Sequence, residues 1–194
     1  DPADGQAYTY SQFEVPDARR VYTTFEQPDL KSVFTLTVKA PKGWKVFSNA
    51  PTPSPEEEGD AWIYRFATTE KMSTYITAIV AGPYEGTTAS LTSSDGRTID
   101  LGVYARASII EHLDADEIIE ITRQGFEFFE GAYGIAYPFT KYDQIFVPEY
   151  NAGAMENAGC VTFRDAYVFR TRPTEAQMEA RANTILHELA HMWF

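Results

Sequence analysis

Apolar and polar positions alternate along this chain with two different periods. Over residues 32–38 they alternate every second residue, which predicts a strand with one buried face. Shorter runs at 44–48, 61–67 and 75–81 read the same way. The last is broken by Thr77 and closed by Gly82-Pro83, so it predicts a buried strand and is far too short to span a membrane. Residues 49–60 hold three prolines, three glutamates and a glycine, a composition expected of an exposed loop. Ser93-Ser94-Asp95-Gly96 predicts a hairpin turn joining strands over 87–92 and 98–105.

Past Arg106 the period lengthens. Ile118, Thr122, Gly125, Phe126, Phe129 and Tyr133 fall at helical spacing, with Asp114 as cap, Glu117 three residues on and Gly134 as stop. A strand over 144–147 closes at Pro148, and 159–163 with 166–169 reads as a strand pair. Thr174 and Gln177 form a capping-box pattern for a last helix. Ile185, Leu189 and Met192 make one apolar stripe on it, and Leu186, Ala190 and Trp193 a second. A helix apolar on two sides belongs inside a larger domain. The expected class is α+β, with residues 1–106 forming the end of an N-terminal β-sheet domain and 107–194 beginning another.

That last helix carries His187-Glu188-Leu189-Ala190-His191. Residues four apart share a helix face, so both imidazoles can reach one zinc ion at about 2.0–2.1 Å. Glu188 can then act as general base toward the metal's water. Two ordinary histidines on a buried helix are the competing reading, but two imidazoles and a carboxylate need partners if buried. His112, in a polar stretch, reads as a surface residue. Upstream lies Gly153-Ala154-Met155-Glu156-Asn157. Its small residues allow close backbone approach, an extended peptide could add to it as a strand, and Glu156 could bind an ammonium. A turn leading into a strand explains the same residues equally well.

Composition narrows the choice of partner. The net charge of −12, from 16 basic and 28 acidic residues, excludes a phosphate-backbone partner that relies on basic patches. A single cysteine, Cys160, excludes an internal disulfide and reads as a small buried hydrophobe. The chain starts at Asp1 without an initiator Met or a signal-peptide pattern, which favours a cytoplasmic setting without fixing it, and ends inside an apolar helical pattern. Both ends are expected to be boundaries of a piece, with apolar surface left open to self-association.

The two motifs together, in this order and about thirty residues apart, resemble the aminopeptidase N family of zinc metallopeptidases, which are gluzincins. Ser11-Gln12-Phe13-Glu14 and Phe25-Glu26-Gln27-Pro28-Asp29-Leu30-Lys31 are similar to segments of that family's N-terminal domain. The resemblance implies a thermolysin-like catalytic domain from residue 107, cut after the zinc-binding helix. It implies His187 and His191 as zinc ligands and Glu188 as general base. It also implies binding of a peptide with a free N-terminus by Gln12, Glu14, Gly153, Ala154, Met155, Glu156 and Asn157, with Met155 lining the first side-chain pocket. The family's third ligand, a glutamate, and its oxyanion-stabilising tyrosine would lie past Phe194, so zinc is expected to bind this chain weakly or not at all and the chain to be inactive. A thermolysin-type endopeptidase shares only the histidine motif, whereas a leukotriene-hydrolase-like bifunctional enzyme shares both. A non-catalytic scaffold is the remaining alternative.

Overall fold

The computed structural model describes residues Asp1 to Phe194. The strands are β1 (Thr9–Tyr10), β2 (Thr37–Pro41), β3 (Lys45–Ser48), β4 (Glu56–Glu58), β5 (Ala61–Arg65), β6 (Ile79–Gly82), β7 (Tyr84–Thr92) and β8 (Thr98–Arg106). Helix α1 (Ala115–Tyr133) follows, then β9 (Lys141–Val147), β10 (Ala154–Met155), β11 (Cys160–Arg164) and helix α2 (Glu175–Ala190). Two small antiparallel sheets, ordered β1-β6-β3 and β2-β5-β4, make the N-terminal part. A five-stranded sheet ordered β10-β11-β9-β8-β7 carries the rest, with β9 parallel to both its neighbours. The chain is thus a mixed α+β molecule with β-sheet structure leading into a helix-bearing part.

The alternation in β8 explains the layering. Ile99, Leu101, Val103 and Ala105 face α1 and α2, where they share a core with Ile118, Phe126, Ile185 and Leu189. Tyr104 points the other way and packs on Phe47 of β3, with ring centroids 4.5 Å apart. The five-stranded sheet therefore has helices on one face and the N-terminal sheets on the other. Residues on both sides of position 106 share that sheet and its core, so in packing the hairpin 84–106 goes with the helices.

Several local expectations need correction. The strand expected over 32–38 begins only at Thr37; before it, Ser32 makes an isolated bridge to Met72, and residues 34 and 36 bond singly to 69 and 66. Residues 74–76 form a 3-10 turn, so β6 begins at Ile79. The loop 49–60 contains edge strand β4, whose acidic side chains pair with Lys39, Lys42 and Arg65, and its Asn49 is buried. Residues 165–167 are a 3-10 turn, and β11 takes β9 and β10 as partners.

Asp114 precedes α1 as expected, but its side chain caps nothing. It lies 2.9 Å from Nη1 of Arg181 in α2, while Glu117 lies 3.1 Å from Nη2. Arg181 is 1% exposed. A guanidinium so deeply placed needs carboxylate partners, and this need outweighs a helix cap. Close approach of the helices is allowed by Gly125, where a Cβ would come within 2.7 Å of the Leu186 and Leu189 side chains. Gly134 takes φ 65° and stops α1 as expected.

Candidate active site

Helix α2 begins with the expected capping box. Gln177 N donates to Thr174 Oγ1 (3.3 Å) and Thr174 N donates to Gln177 Oε1 (2.8 Å). Ile185 and Leu189 are fully buried and fix the helix's rotation. That rotation leaves His187 exposed and His191 half-buried on the other face. Their Nε2 atoms are 3.2 Å apart. Two nitrogens bound tetrahedrally to one zinc at about 2.0–2.1 Å stand about 3.3 Å apart, so the bite fits. The remaining histidine, His112, sits on a 3-10 turn beside Glu111 at 3.6 Å, as expected of a surface residue.

Glu188 is 5% exposed, and its Oε2 has no hydrogen-bond partner. Burial, with the negative charges of Glu156 and Glu14 adding to it, pushes its carboxyl up to about 8. Ligand atoms of Glu156, Glu188 and His191 all lie within 4.8 Å of one another. A buried carboxylate without a partner, beside two convergent imidazoles and a second carboxylate, is a donor set suited to a divalent cation such as zinc.

The opposite wall comes from two distant segments. β10 is the edge strand of the five-stranded sheet, held by β11 through Ala154 opposite Phe163 and Met155 opposite Thr162. Glu156 follows it directly. At Gly159 (φ 63°) the chain turns into β11, and a Cβ there would come within 2.9 Å of Lys141 O. The N-terminal segment reaches the same place: Gln12 Nε2 lies 3.6 Å from Met155 Sδ, and Glu14 N donates to Gln12 Oε1 (2.6 Å). Glu14 is exposed, and its charge reaches Glu188.

The structure thus brings Gln12, Glu14, Met155, Glu156, Glu188 and both histidines together, with Gly153 exposed and Ala154 half-buried beside them. Two of the expected site residues have deeply placed side chains. Asn157 is fully buried, with Nδ2 3.4 Å from Thr162 Oγ1. Met155 is also fully buried, with its Sδ beside Gln12. The sequence reading missed Tyr142 and Tyr150. Both hydroxyls are buried without partners, and the charge of Glu188 acts on both. Only their amphipathic character, an apolar body with one polar atom, could have signalled this.

Comparison with known proteins identifies the family. The profile described as the Peptidase family M1 domain matches residues 117–194, and that of the Peptidase M1 N-terminal domain matches residues 3–76. The chain is 59% identical over its whole length to Aminopeptidase N of Streptomyces lividans, covering 22% of that protein. It is 35% identical over 95% of its length to Aminopeptidase N of Homo sapiens, covering 19%. It is 36% identical over its whole length to Probable aminopeptidase 1 of Saccharolobus solfataricus, covering 24%. The chain spans about a fifth of the length of these curated relatives. With family M1 profiles matching most of its residues, and with the paired histidines, the buried glutamate and the carboxylate at the sheet edge in one cleft, the chain belongs to peptidase family M1, the family of aminopeptidase N.

Proposed function

We propose that these residues belong to a zinc aminopeptidase that hydrolyses the first residue from peptides. The observation that carries this reading is the arrangement of His187, His191, Glu188 and Glu156 in one cleft, with the histidine nitrogens 3.2 Å apart and Glu156 within 4.8 Å of both Glu188 and His191. His187 and His191 would hold the zinc. When bound, the metal supplies Lewis acidity toward the scissile carbonyl and lowers the pKa of a water molecule. Glu188 would serve as the general base, accepting a proton from the attacking water and handing it to the leaving amine. Glu156 and Glu14 bind the substrate's ammonium and thereby measure one residue from the cut. The open edge of β10 holds the peptide extended through the backbone of Gly153, Ala154 and Met155, in the manner of an added strand. Gln12 braces Met155 below.

In this proposal the second part of the chain is the beginning of a thermolysin-like catalytic domain. Two histidines are one protein ligand short of a catalytic zinc site. The third ligand and the oxyanion-stabilising group would come from residues outside these 194, so the chain alone is expected to hold zinc weakly and to be inactive. Phe128 and Phe194 are 66% and 83% exposed and would favour self-association; a monodisperse monomer by light scattering would remove that expectation.

The test is zinc content and hydrolysis of an aminoacyl reporter, on this chain and on one extended to the length of its relatives. Stoichiometric zinc and cleavage of free but not blocked N-termini by the longer chain alone supports the reading. Equal cleavage of blocked peptides would sink the roles of Glu156 and Glu14.

A further inference from the structure

The turn that carries Tyr75 comes from the N-terminal part, yet it is fixed to the segment that carries Glu156. Ala158 donates its backbone N–H to Ile76 O (3.2 Å). Asn49 Nδ2 donates to Ile76 O and to Ala158 O, at 2.9 Å each, and Asn49 Oδ1 accepts from Ala78 N at 2.9 Å. A single buried amide thus bridges the two segments. From the other side the Tyr22 hydroxyl lies 3.0 Å from Thr74 O and 2.8 Å from Thr77 Oγ1, and Ser73 Oγ donates to Pro28 O (2.6 Å). Residues 73–78 therefore have little freedom to move relative to Glu156.

Tyr75 is half-buried and lines, with Glu156 and His191, one cavity of about 270 Å³. Burial first, and then the charges of Glu156 and Glu14, push its hydroxyl above the ordinary tyrosine value, so it remains a proton donor. A phenol suits this place better than a cationic side chain. It can orient a carboxylate through a hydrogen bond without neutralising it, leaving the negative charge for a ligand's ammonium.

We propose that Tyr75 is a positioning residue of the amine site: its hydroxyl donates to the Glu156 carboxylate and fixes that carboxylate's aim at the ligand's ammonium. The inference rests on the reading of Glu156 as the amine-binding carboxylate. It makes amine recognition depend on the N-terminal part staying docked through Asn49.

The test is a titration of the 194-residue chain, followed by nuclear magnetic resonance, with leucinamide and with N-acetyl-leucinamide. Wild type, Glu156→Gln and Tyr75→Phe are compared, with melting temperatures alongside. Wild type is expected to prefer the free amine, and its Tyr75 ring signals to shift as leucinamide binds. Tyr75→Phe is expected to weaken leucinamide about three- to tenfold, the size of one lost hydrogen bond, with the blocked compound and the melting temperature unaffected. If Glu156→Gln loses the preference but Tyr75→Phe keeps full affinity, the inference fails and the reading of Glu156 stands. If wild type shows no preference for the free amine, both fail. Should Tyr75→Phe not fold, the wild-type ring signals decide: a shift supports the proposal, and unmoved signals overturn it.

Discussion

The two walls of the cleft are made in opposite ways. One is a short piece of a single helix: His187, Glu188 and His191 are placed by helical hydrogen bonds, and Ile185 and Leu189 on the far face set the rotation. The other is assembled from a distance, as where Gln12 meets Met155 across 143 positions and Asn49 ties Ile76 to Ala158. The first wall needs only that α2 forms and packs. The second exists only while the N-terminal sheets stay docked on the five-stranded sheet. The proposed metal side of the site is therefore local in origin, and the proposed amine side is tertiary.

Removing one residue from each wall should separate their roles most clearly. In a chain extended to the length of its relatives, His191→Ala is expected to lower the zinc affinity by more than about 100-fold, beyond what loss of a merely supporting residue costs. Glu156→Gln should change it by less than about tenfold. Competition against a chelator of known affinity reads both, and equal losses would erase the division of labour. Next in size, Leu189→Ala should destabilise the chain by about 2–5 kcal/mol in urea unfolding, because the fully buried leucine anchors the metal helix to α1 and the sheet.

The support beneath the amine wall can be probed by alkali. Burial pushes the Cys160 thiol up to about 11 and, beneath the same wall, the Tyr150 hydroxyl up to about 12. Groups whose folded values are raised favour the folded state fully below their unfolded values, about 9 and 10, and lose that contribution as pH rises through the folded ones. Stability should therefore fall between about pH 9 and pH 12. Cys160→Ala should flatten the part between about pH 9 and pH 11, worth up to roughly 3 kcal/mol. A profile unchanged by that substitution would remove Cys160 from the explanation. The smallest effect is expected from Glu14→Gln. This exposed residue should leave stability within about 0.5 kcal/mol and zinc affinity unchanged, while weakening the preference for free over blocked amines.

What was readable before the structure follows the same division. The hairpin 84–106, both helices, the Thr174–Gln177 capping box and the Gly134 stop were legible because each is decided within a few residues. Asp114 was misread because the competing demand, a buried Arg181, sits 67 positions away. The run 75–81 looked like one strand because its apolar period says nothing of the Asn49 and Tyr22 bonds that fold its first half into a turn. The burial of the Asn157 side chain was not legible, because motif membership does not reveal which side chains face inward.

The sequence by itself determined the paired histidines and the glutamate between them, since a helix of period 3.6 must bring residues four apart onto one face. It also determined that a carboxylate would stand beside small residues just before a strand. The burial of Glu188 without a partner for Oε2, its exposure to the charges of Glu156 and Glu14, and the lining of one cavity by Tyr75 and Glu156 were settled by tertiary packing alone. Those outcomes depend on burial and on contacts between segments far apart in the chain, and no local period encodes them.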